Sequence, residues 1–310
     1  MSRVRLRRRR RMQPLISIVL ATRNRTVQLR RCLESLRTGS LPSGWRAEII
    51  VIDNASLDDT ASVVASFQAE QSDRSFHYMR EPRRGKSFAV NRGLSAVRGS
   101  IVAFVDDDVV VDSRWMLEII GQFQHDPGLD LLAGRVVTVE VNGRREGETS
   151  GAGEFQLSAK RPLVGLVMGC NLAVRREVIE TVKGRDTRLG PGRGLSAEDI
   201  DFVYRILKAN FSGRFSERPI VAHDPGSRDR RREYLRGRGA YYAKYVSRGD
   251  LVVARQAWWE LSAILREIRH PAVARASSPL NDLRQLAWGA GLMLGRVVKS
   301  MFARHVSASD

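Results

Sequence analysis

The sequence is poor in cysteine and has no long apolar run. Only Cys32 and Cys170 occur in 310 residues, and two thiols supply neither a disulfide framework nor a cysteine-based zinc site, which favours a reducing compartment. The longest apolar stretch, 286–295, is interrupted by Arg296 and is shorter than the roughly 18 residues of a membrane-spanning helix. These absences predict a cytoplasmic protein. They are also compatible with peripheral attachment to the inner face of the cytoplasmic membrane.

Acidic residues are scarce at the two ends of the chain. The formal net charge is +18; residues 1–13 hold seven arginines and no acid, and residues 226–310 hold 16 basic and seven acidic residues. The stretch between them is nearly neutral. A strongly basic total can indicate a nucleic-acid-binding protein. Because the excess is restricted to the ends, this is the weakest interpretation, and we do not expect nucleic acid as a partner.

The order of apolar patterns predicts an α/β fold with a mainly parallel central sheet flanked by helices. Four short β-branched runs alternate with stretches of helical spacing. The runs lie at 16–21, 48–52, 76–79 and 101–105. We therefore expect a disordered basic tail at 1–13, a folded domain at 14–225 and a basic helical extension at 226–310.

Three consecutive acids, Asp106, Asp107 and Asp108, stand where an apolar strand should continue, in IVAFVDDDVVVD. Two carboxylates ~4 Å apart repel by roughly 4 kcal/mol at an effective dielectric near 20. A divalent cation shared with substrate phosphates would offset that repulsion, and carboxylates suit Mg²⁺ or Mn²⁺. The alternative is an acidic turn, but three crowded acids favour the cation. If the strand persists, Asp106 and Asp108 share one face and Asp107 the other.

Polar residues also follow the second predicted strand, EIIVI. Open α/β sheets bind ligands at the carboxyl ends of their strands, so Asp53 and Asn54 are candidates for contacting a nucleobase or ribose. Both residue types also favour helix-capping turns. The sequence alone leaves the two interpretations equal.

Two glycine-rich nucleotide motifs are absent. The first strand leads into ATRNRTVQL, which has no glycine and therefore no dinucleotide fingerprint. Lys86 follows Gly85, but Arg80 stands where the phosphate-loop motif needs its first glycine. A lysine at the start of a helix can still meet a phosphate.

Two further candidates have structural alternatives. Glu198 and Asp199 open a helical pattern in SAEDIDF, where Ser196 and the acid three residues later match a capping box. The functional alternative is a general base that takes a proton from an acceptor hydroxyl; spacing slightly favours the capping box. His223 follows an apolar strand, and a lone histidine is more often a packing residue than a metal or diphosphate ligand.

In order, the segments ISIVLATRNR, VIDNASLDDT, EPRRGKSFAVNRG, IVAFVDDDVVVD and SAEDIDFVYRI resemble glycosyltransferase family 2. The resemblance covers 14–225. It implies the GT-A fold of nucleotide-diphospho-sugar transferases, with a nucleotide-binding half at 14–112 and an acceptor half at 113–225. It further implies inversion at the sugar and Mg²⁺ or Mn²⁺ as cofactor.

The resemblance also assigns roles to residues of this sequence. Those expected in the nucleotide–sugar pocket are Thr22, Arg23, Asp53, Asn54, Lys86, Asn91, Arg92, Asp106 and Asp107. Asp108 would bind the metal, with His223 as a second candidate. Asp199 would be the general base, and Glu198 would help to place the acceptor.

Two departures from the family pattern bear on function. Asn54 stands where a second aspartate is frequent, which leaves the nucleobase open. The Gln-x-x-Arg-Trp segment of processive synthases is absent, so we expect transfer of a single sugar from a nucleotide-diphospho-sugar to a glycan or lipid-linked acceptor. A nucleotidyltransferase that forms sugar nucleotides is the enzymatic alternative, but it usually has a glycine-rich loop after the first strand.

The basic ends support a second hypothesis, attachment to an anionic membrane surface. Each Lys or Arg near such a surface contributes roughly 1 kcal/mol, and Trp258, Trp259 and the apolar stripe over 283–302 could lie in the interface. The alternative is that this stripe and the one at 261–268 pack on the rest of the protein. The sequence barely separates the two.

Overall fold

The computed structural model describes most of the chain and shows the predicted α/β architecture. The described residues are 14–69, 73–138, 149, 151–224, 230–269 and 278–306, with side chains described up to 296 in the last segment. The predicted tail at 1–13 lies outside them. The division at 225/226 and the two halves of the first domain stay predictions.

The described strands form one nine-stranded sheet in the order β3-β2-β1-β4-β8-β6-β9-β5, with β7 paired to β9. Their bounds are β1 Leu15–Thr22, β2 Arg46–Asp53, β3 Arg74–Arg80, β4 Ile101–Asp106, β5 Val109–Val111, β6 Leu131–Thr138, β7 Glu154–Gln156, β8 Leu172–Arg175 and β9 Gly213–His223. The first four strands in this order are parallel, as predicted. The other half of the sheet is mixed, because β8 runs antiparallel to both β4 and β6.

Helices cover both faces of the sheet. Their bounds are α1 Thr26–Thr38, α2 Thr60–Gln68, α3 Lys86–Leu94, α4 Trp115–His125, α5 Arg176–Val182, α6 Glu198–Lys208, α7 Arg231–Val246, α8 Leu251–Arg269 and α9 Pro279–Val306. Alternate residues of β1 enter the two cores: Ile18 packs with α1, α2 and α4, whereas Val19 packs with α3 and α6. Strands buried on both faces need the near-continuous apolar runs seen in the sequence.

Glycines let α7 and α9 cross in close contact. A Cβ added at Gly239 would lie 1.9 Å from the carbonyl oxygen of Leu286, and one at Gly289 would lie 1.8 Å from that of Arg236. The side chain of Leu286 is buried at this crossing, with Leu235 and Ile264. Part of the apolar stripe of α9 therefore packs on the protein itself.

Other apolar side chains of the last two helices are exposed. Trp258 and Trp259 on α8 and Trp288 on α9 have 63%, 45% and 58% of their surface exposed. Within the described residues, no helix combines the length and the apolar content that crossing a membrane requires.

Candidate active site

A cleft of about 810 Å³ opens beside the carboxyl ends of β1 and β4, a size typical of ligand pockets. It brings seven of the sequence-predicted residues to one place. They are Thr22, Arg23, Asn54, Lys86, Asp106, Asp107 and Asp108. Cationic side chains outnumber acidic ones in its lining, so the cleft is suited to an anionic ligand.

The aspartate triplet does not alternate as predicted, because β4 ends at Asp106 and the next two residues form a turn. Asp107 and Asp108 share one partner: Arg25 Nη1 lies 2.9 Å from Asp107 Oδ1 and 2.6 Å from Asp108 Oδ2. Asp106 instead contacts Lys86, whose Nζ is 2.6 Å from Oδ1. The condition for a shared face of Asp106 and Asp108, a strand that continues beyond Asp106, is therefore not met.

The protein's own cations balance the charge of the triplet. Arg25 forms ion pairs with Asp107 and Asp108, and Lys86 forms one with Asp106. Arg230 Nη2 also lies 3.7 Å from Asp108 Oδ2. The crowding of acids therefore does not by itself require a metal ion, contrary to the argument from the sequence. Sequence reasoning missed Arg25 and Arg230; the position of Arg25 just after β1, at the ligand-binding edge, was the available signal.

The three carboxylates differ in their environments. Burial raises the pKa of Asp107 to about 6, although Arg25 opposes the shift, and Thr22 donates a hydrogen bond of 2.8 Å to its Oδ2. Burial acts on Asp108 in the same direction, but the adjacent His223 and Arg25 outweigh it and hold the pKa of Asp108 well below its usual range. Asp108 is therefore ionised across the physiological pH range.

His223 meets Asp108 because β5 pairs antiparallel to β9, with Val109 opposite His223. His223 Nε2 lies 3.4 Å from Asp108 Oδ1. Within the described residues, Asp108 Oδ1 and His223 Nδ1 are buried without a hydrogen-bond partner. A carboxylate oxygen and an imidazole nitrogen are suitable ligands for Mn²⁺.

This pair fits a divalent cation only if the substrate completes its coordination. No group of three potential protein ligands occurs within the part of the chain that the structure describes. Mg²⁺ and Mn²⁺ are commonly held by one or two protein side chains together with substrate phosphates and water. Asp108 and His223 are compatible with that arrangement.

Asn54 fixes the loop that leads into α3. Its Nδ2 donates to the carbonyl oxygens of Glu81 and Arg83, at 3.1 and 2.7 Å, and its Oδ1 accepts from the N–H of Gly85 at 2.8 Å. An aspartate would lack the two donated hydrogen bonds. The departure from the family pattern at this position therefore has a structural consequence, which is to hold Lys86 at the cleft.

Asp53 does not line the cleft. Its Oδ1 accepts from the N–H of Ser56 at 2.7 Å, and its Oδ2 accepts from the hydroxyl of Tyr78 at 2.7 Å. These bonds, together with the charge of Arg80, outweigh burial and lower the pKa of Asp53. The residue closes the turn after β2, and a contact with the nucleobase stays a prediction.

Asn91 and Arg92 also lie away from the cleft lining. Asn91 pairs with the backbone of Arg185: Nδ2 donates to its carbonyl oxygen at 2.8 Å, and Oδ1 accepts from its N–H at 2.7 Å. Arg92 is exposed on the outer side of α3. Their roles as donor ligands stay predictions.

The capping box predicted at Ser196 does not form. Ala197 occupies the cap position of α6 and no side chain caps the helix. The first helical residue, Glu198, is buried, and its Oε1 lies 3.8 Å from both Lys86 Nζ and Arg185 Nη1. Burial and the adjacent Asp199 raise the pKa of Glu198 to about 7, although both cations oppose the shift.

Asp199 is held by backbone groups and is partly exposed. Its Oδ2 accepts from the N–H of Gly169 at 2.9 Å, and its Oδ1 accepts from the N–H of Ile200 at 2.8 Å. A Cβ at Gly169 would lie 3.0 Å from the Cβ of Asp199, so the close approach favours glycine. A fixed and accessible carboxylate is able to accept a proton from a hydroxyl.

The first turns of α7 form one wall of the cleft, which the sequence did not reveal. Arg230, Arg232 and Arg236 line it, and Arg84 belongs to the same lining. The guanidinium of Arg236 lies 5.1 Å from the ring centre of Trp288. Part of the basic excess of the C-terminal region therefore faces the candidate ligand site.

The fold is that of the GT-A class of enzymes, and similarity to known proteins identifies the family. The model of "Glycosyl transferase family 2" matches residues 17–183, more than half of the chain. The protein therefore belongs to glycosyltransferase family 2 and is a glycosyltransferase.

Two curated relatives show how much of the chain is shared. Glycosyltransferase AglE of Haloferax volcanii is 24% identical over 211 residues, covering 68% of this chain and 67% of AglE. Pre-mycofactocin glycosyltransferase of Mycobacterium tuberculosis is 27% identical over 304 residues, covering 93% of this chain and 55% of that protein. The chain thus spans little more than half of the mycobacterial relative.

Solved structures confirm the GT-A fold. The mannosyltransferase PcManGT from Pyrobaculum calidifontis, in complex with GDP-Man and Mn²⁺, has a TM-score of 0.60 at 19% identity and covers 96% of this chain and 87% of its own. S. aureus TarS 1-349 in complex with UDP-GlcNAc has a TM-score of 0.60 at 15% identity and covers 77% and 70%.

Proposed function

We propose that this glycosyltransferase moves one sugar from a nucleotide-diphospho-sugar to a glycan or lipid-linked acceptor, with inversion at the sugar. One arrangement carries the proposal: Lys86 lies between two acidic groups, 2.6 Å from Asp106 at the cleft and 3.8 Å from Glu198 beside Asp199. Groups suited to the donor and to proton transfer thus meet at one lysine.

The donor that we propose is a nucleoside diphosphate linked to a sugar. As the sugar departs, negative charge builds on the diphosphate, and fixed cations at that place stabilise the transition state. Lys86 and the arginines at the start of α7 supply such cations. The presence of UDP-GlcNAc and GDP-Man in two structural neighbours supports this donor class.

Mg²⁺ or Mn²⁺ would be held by Asp108 and His223. When bound, a divalent cation neutralises charge on the leaving diphosphate as a Lewis acid. The unpartnered Asp108 Oδ1 and the proximity of His223 Nε2, 3.4 Å away, support this assignment, and so does the Mn²⁺ in the PcManGT complex.

Asp199 is the proposed general base. It is partly exposed and held by two backbone N–H groups, whereas Glu198 is buried between two cations. The acceptor hydroxyl would lose its proton to Asp199 and attack the sugar on the side opposite to the diphosphate. Attack from that side inverts the anomeric centre.

We also propose that the C-terminal helices attach the protein to an anionic membrane. Trp258 and Trp288 are largely exposed, in a region with nine net positive charges. Such rings favour the membrane–water interface. Flotation with liposomes that contain phosphatidylserine should enrich the protein, and a Trp258→Ser, Trp288→Ser variant should be enriched less. Equal flotation of the two proteins, or none, contradicts the proposal.

Turnover assays test the chemistry. Hydrolysis and transfer are measured with UDP-, GDP- and dTDP-sugars in the presence of Mn²⁺. Asp199→Asn should lower kcat by about 10²–10⁴-fold, the usual contribution of a general base, with donor affinity unchanged. Glu34→Gln, an exposed change on α1, is the control. Unchanged turnover in Asp199→Asn rules out the base, and turnover with none of the donors rules out the donor class.

A further inference from the structure

Arg185 is a buried arginine to which the chemistry proposed above gives no role. Only 3% of its surface is exposed, and its guanidinium lies against two aromatic rings, 5.0 Å from the centre of Phe104 and 5.7 Å from that of Phe202. Its Nε and Nη1 have no hydrogen-bond partner among the described residues. A buried charge of this kind is costly unless an opposite charge compensates it.

The compensating charge is Glu198. The same carboxylate oxygen, Oε1, lies 3.8 Å from Arg185 Nη1 and 3.8 Å from Lys86 Nζ. Lys86 in turn contacts Asp106 at the cleft. The charges therefore alternate in sign, from a buried arginine to the carboxylate at the donor site.

Arg185 is fixed in this place by its backbone. Asn91 on α3 binds both the N–H and the carbonyl oxygen of Arg185. The guanidinium cannot leave Glu198 by a movement of the loop unless both bonds break. This contact gives Asn91 a supporting role outside the cleft.

We propose that Arg185 is a positioning residue of the active site, which favours the ionised form of the Glu198 carboxylate and directs it at Lys86. Lys86 is thereby held against Asp106, where the donor sugar is expected. The relevance of this to catalysis rests on the function proposed above. The electrostatic link between Arg185 and Glu198 does not.

The charged groups around Glu198 define what a variant changes. Lys86 faces it from α3, Arg185 from the loop before α6, and Asp199 from the same helix. Asp106 and the phenol of Tyr234 on α7 act on Glu198 indirectly, because both interact with Lys86. Removing Arg185 alone leaves one cation against two anions, so a buried Glu198 should hold its proton to higher pH.

The ionisation of Glu198 can be measured without turnover. Urea unfolding is followed from acidic to alkaline pH for the parent and for Glu198→Gln, and the difference in stability reports the titration of this one carboxyl. The same pair is then measured in an Arg185→Met background. The pH midpoint of the Glu198 titration should rise by about 1–3 pH units in that background. This is the usual effect of losing an opposite charge at this distance.

Two backgrounds separate charge from packing. Arg185→Lys keeps the charge and should leave the midpoint near that of the parent. Arg175→Met is the control, because Arg175 also lies on an aromatic ring, 5.3 Å from the centre of Phe123, but stands on β8 opposite Ile101 and not beside Glu198. It should lower stability and leave the midpoint unchanged.

The outcomes are decisive in either direction. An unchanged midpoint in the Arg185→Met background overturns the proposal, and so does an equal shift with Arg175→Met. If Arg185→Met alone does not fold, the double variant with Glu198→Gln decides. Folding of the double variant supports the proposal, and its failure beside a folded Glu198→Gln overturns it. Because no activity enters the measurement, failure of the proposed function leaves these results unaffected.

Discussion

The side chains of Asp108 and His223 lie 3.4 Å apart, although they are widely separated in the sequence. Antiparallel pairing of β5 with β9 brings them together, and each has one buried atom without a hydrogen-bond partner among the described residues. The Nε2 side of the imidazole faces Asp108, so His223 Nε2 and Asp108 Oδ1 are the two atoms that could bind one cation together with substrate phosphates.

Replacing His223 should weaken cation binding. In His223→Ala, Asp108 keeps Arg25 and Arg230 but loses the neighbouring ring, so we expect Mn²⁺ affinity in the presence of GDP or UDP to fall at least ~10-fold. Isothermal titration calorimetry measures it. His125→Ala, at the exposed end of α4, should bind Mn²⁺ as the parent does. Equal affinity in His223→Ala would remove His223 from the metal site.

Asn54→Asp should destabilise the protein and weaken donor binding. The new carboxylate would face the carbonyl oxygens of Glu81 and Arg83 without a proton to donate, and each buried group left without a partner costs roughly 1–3 kcal/mol. Urea unfolding should show a loss of about 2 kcal/mol or more. A variant as stable as the parent would show that the loop before Lys86 does not depend on this side chain.

Glu198 should make stability decrease as pH rises. Its pKa is about 7 in the folded protein, against 4.5 ordinarily, so between these values the folded state binds the proton more tightly than the unfolded state. The loss approaches roughly 3 kcal/mol above pH 7. Glu198→Gln should gain stability relative to the parent as pH rises from 5 to 8, measured by urea unfolding. If the stability of the parent and that of Glu198→Gln change in parallel with pH, Glu198 does not have the raised pKa.

Alanine at Gly239 or Gly289 should disrupt the crossing of α7 and α9. Each new methyl group would lie within 2 Å of a carbonyl oxygen, and overpacking of this kind typically costs about 1–3 kcal/mol. Gly291→Ala is a matched control on α9, because no atom lies within 4 Å of its Cβ position. The control should be neutral or slightly stabilising, and thermal unfolding distinguishes the three variants.

Arginines at the rim should bind the donor diphosphate. Arg232→Gln should weaken binding of GDP or UDP about 10-fold, because a hydrogen bond to a charged group contributes roughly 1.5–3 kcal/mol. The affinity should also depend less on salt than that of the parent. Arg266→Gln, exposed on α8, changes the net charge equally and should bind as the parent does. Equal losses in both variants would indicate a general charge effect.

Much of the first half of the fold could be predicted from the sequence. The strand ending at Asp106 and the helix beginning at Lys86 follow from apolar runs and their spacing. The pairing of β8 with β4 and β6 could not be predicted, because a short apolar run does not specify its neighbours. The capping box at Ser196 was wrong for a similar reason: local spacing permits a cap, but the surrounding structure determines whether it forms.

The sequence by itself determined the family, the strands and helices of the first half of the fold, and the acidic and basic residues available to the site. These are local properties, since they depend on residue type and on short spacing. Tertiary structure alone decided which charges meet: Arg25 with Asp107 and Asp108, His223 with Asp108, and Arg185 with Glu198. Such contacts depend on strand pairing and helix packing between distant segments, which no local pattern encodes.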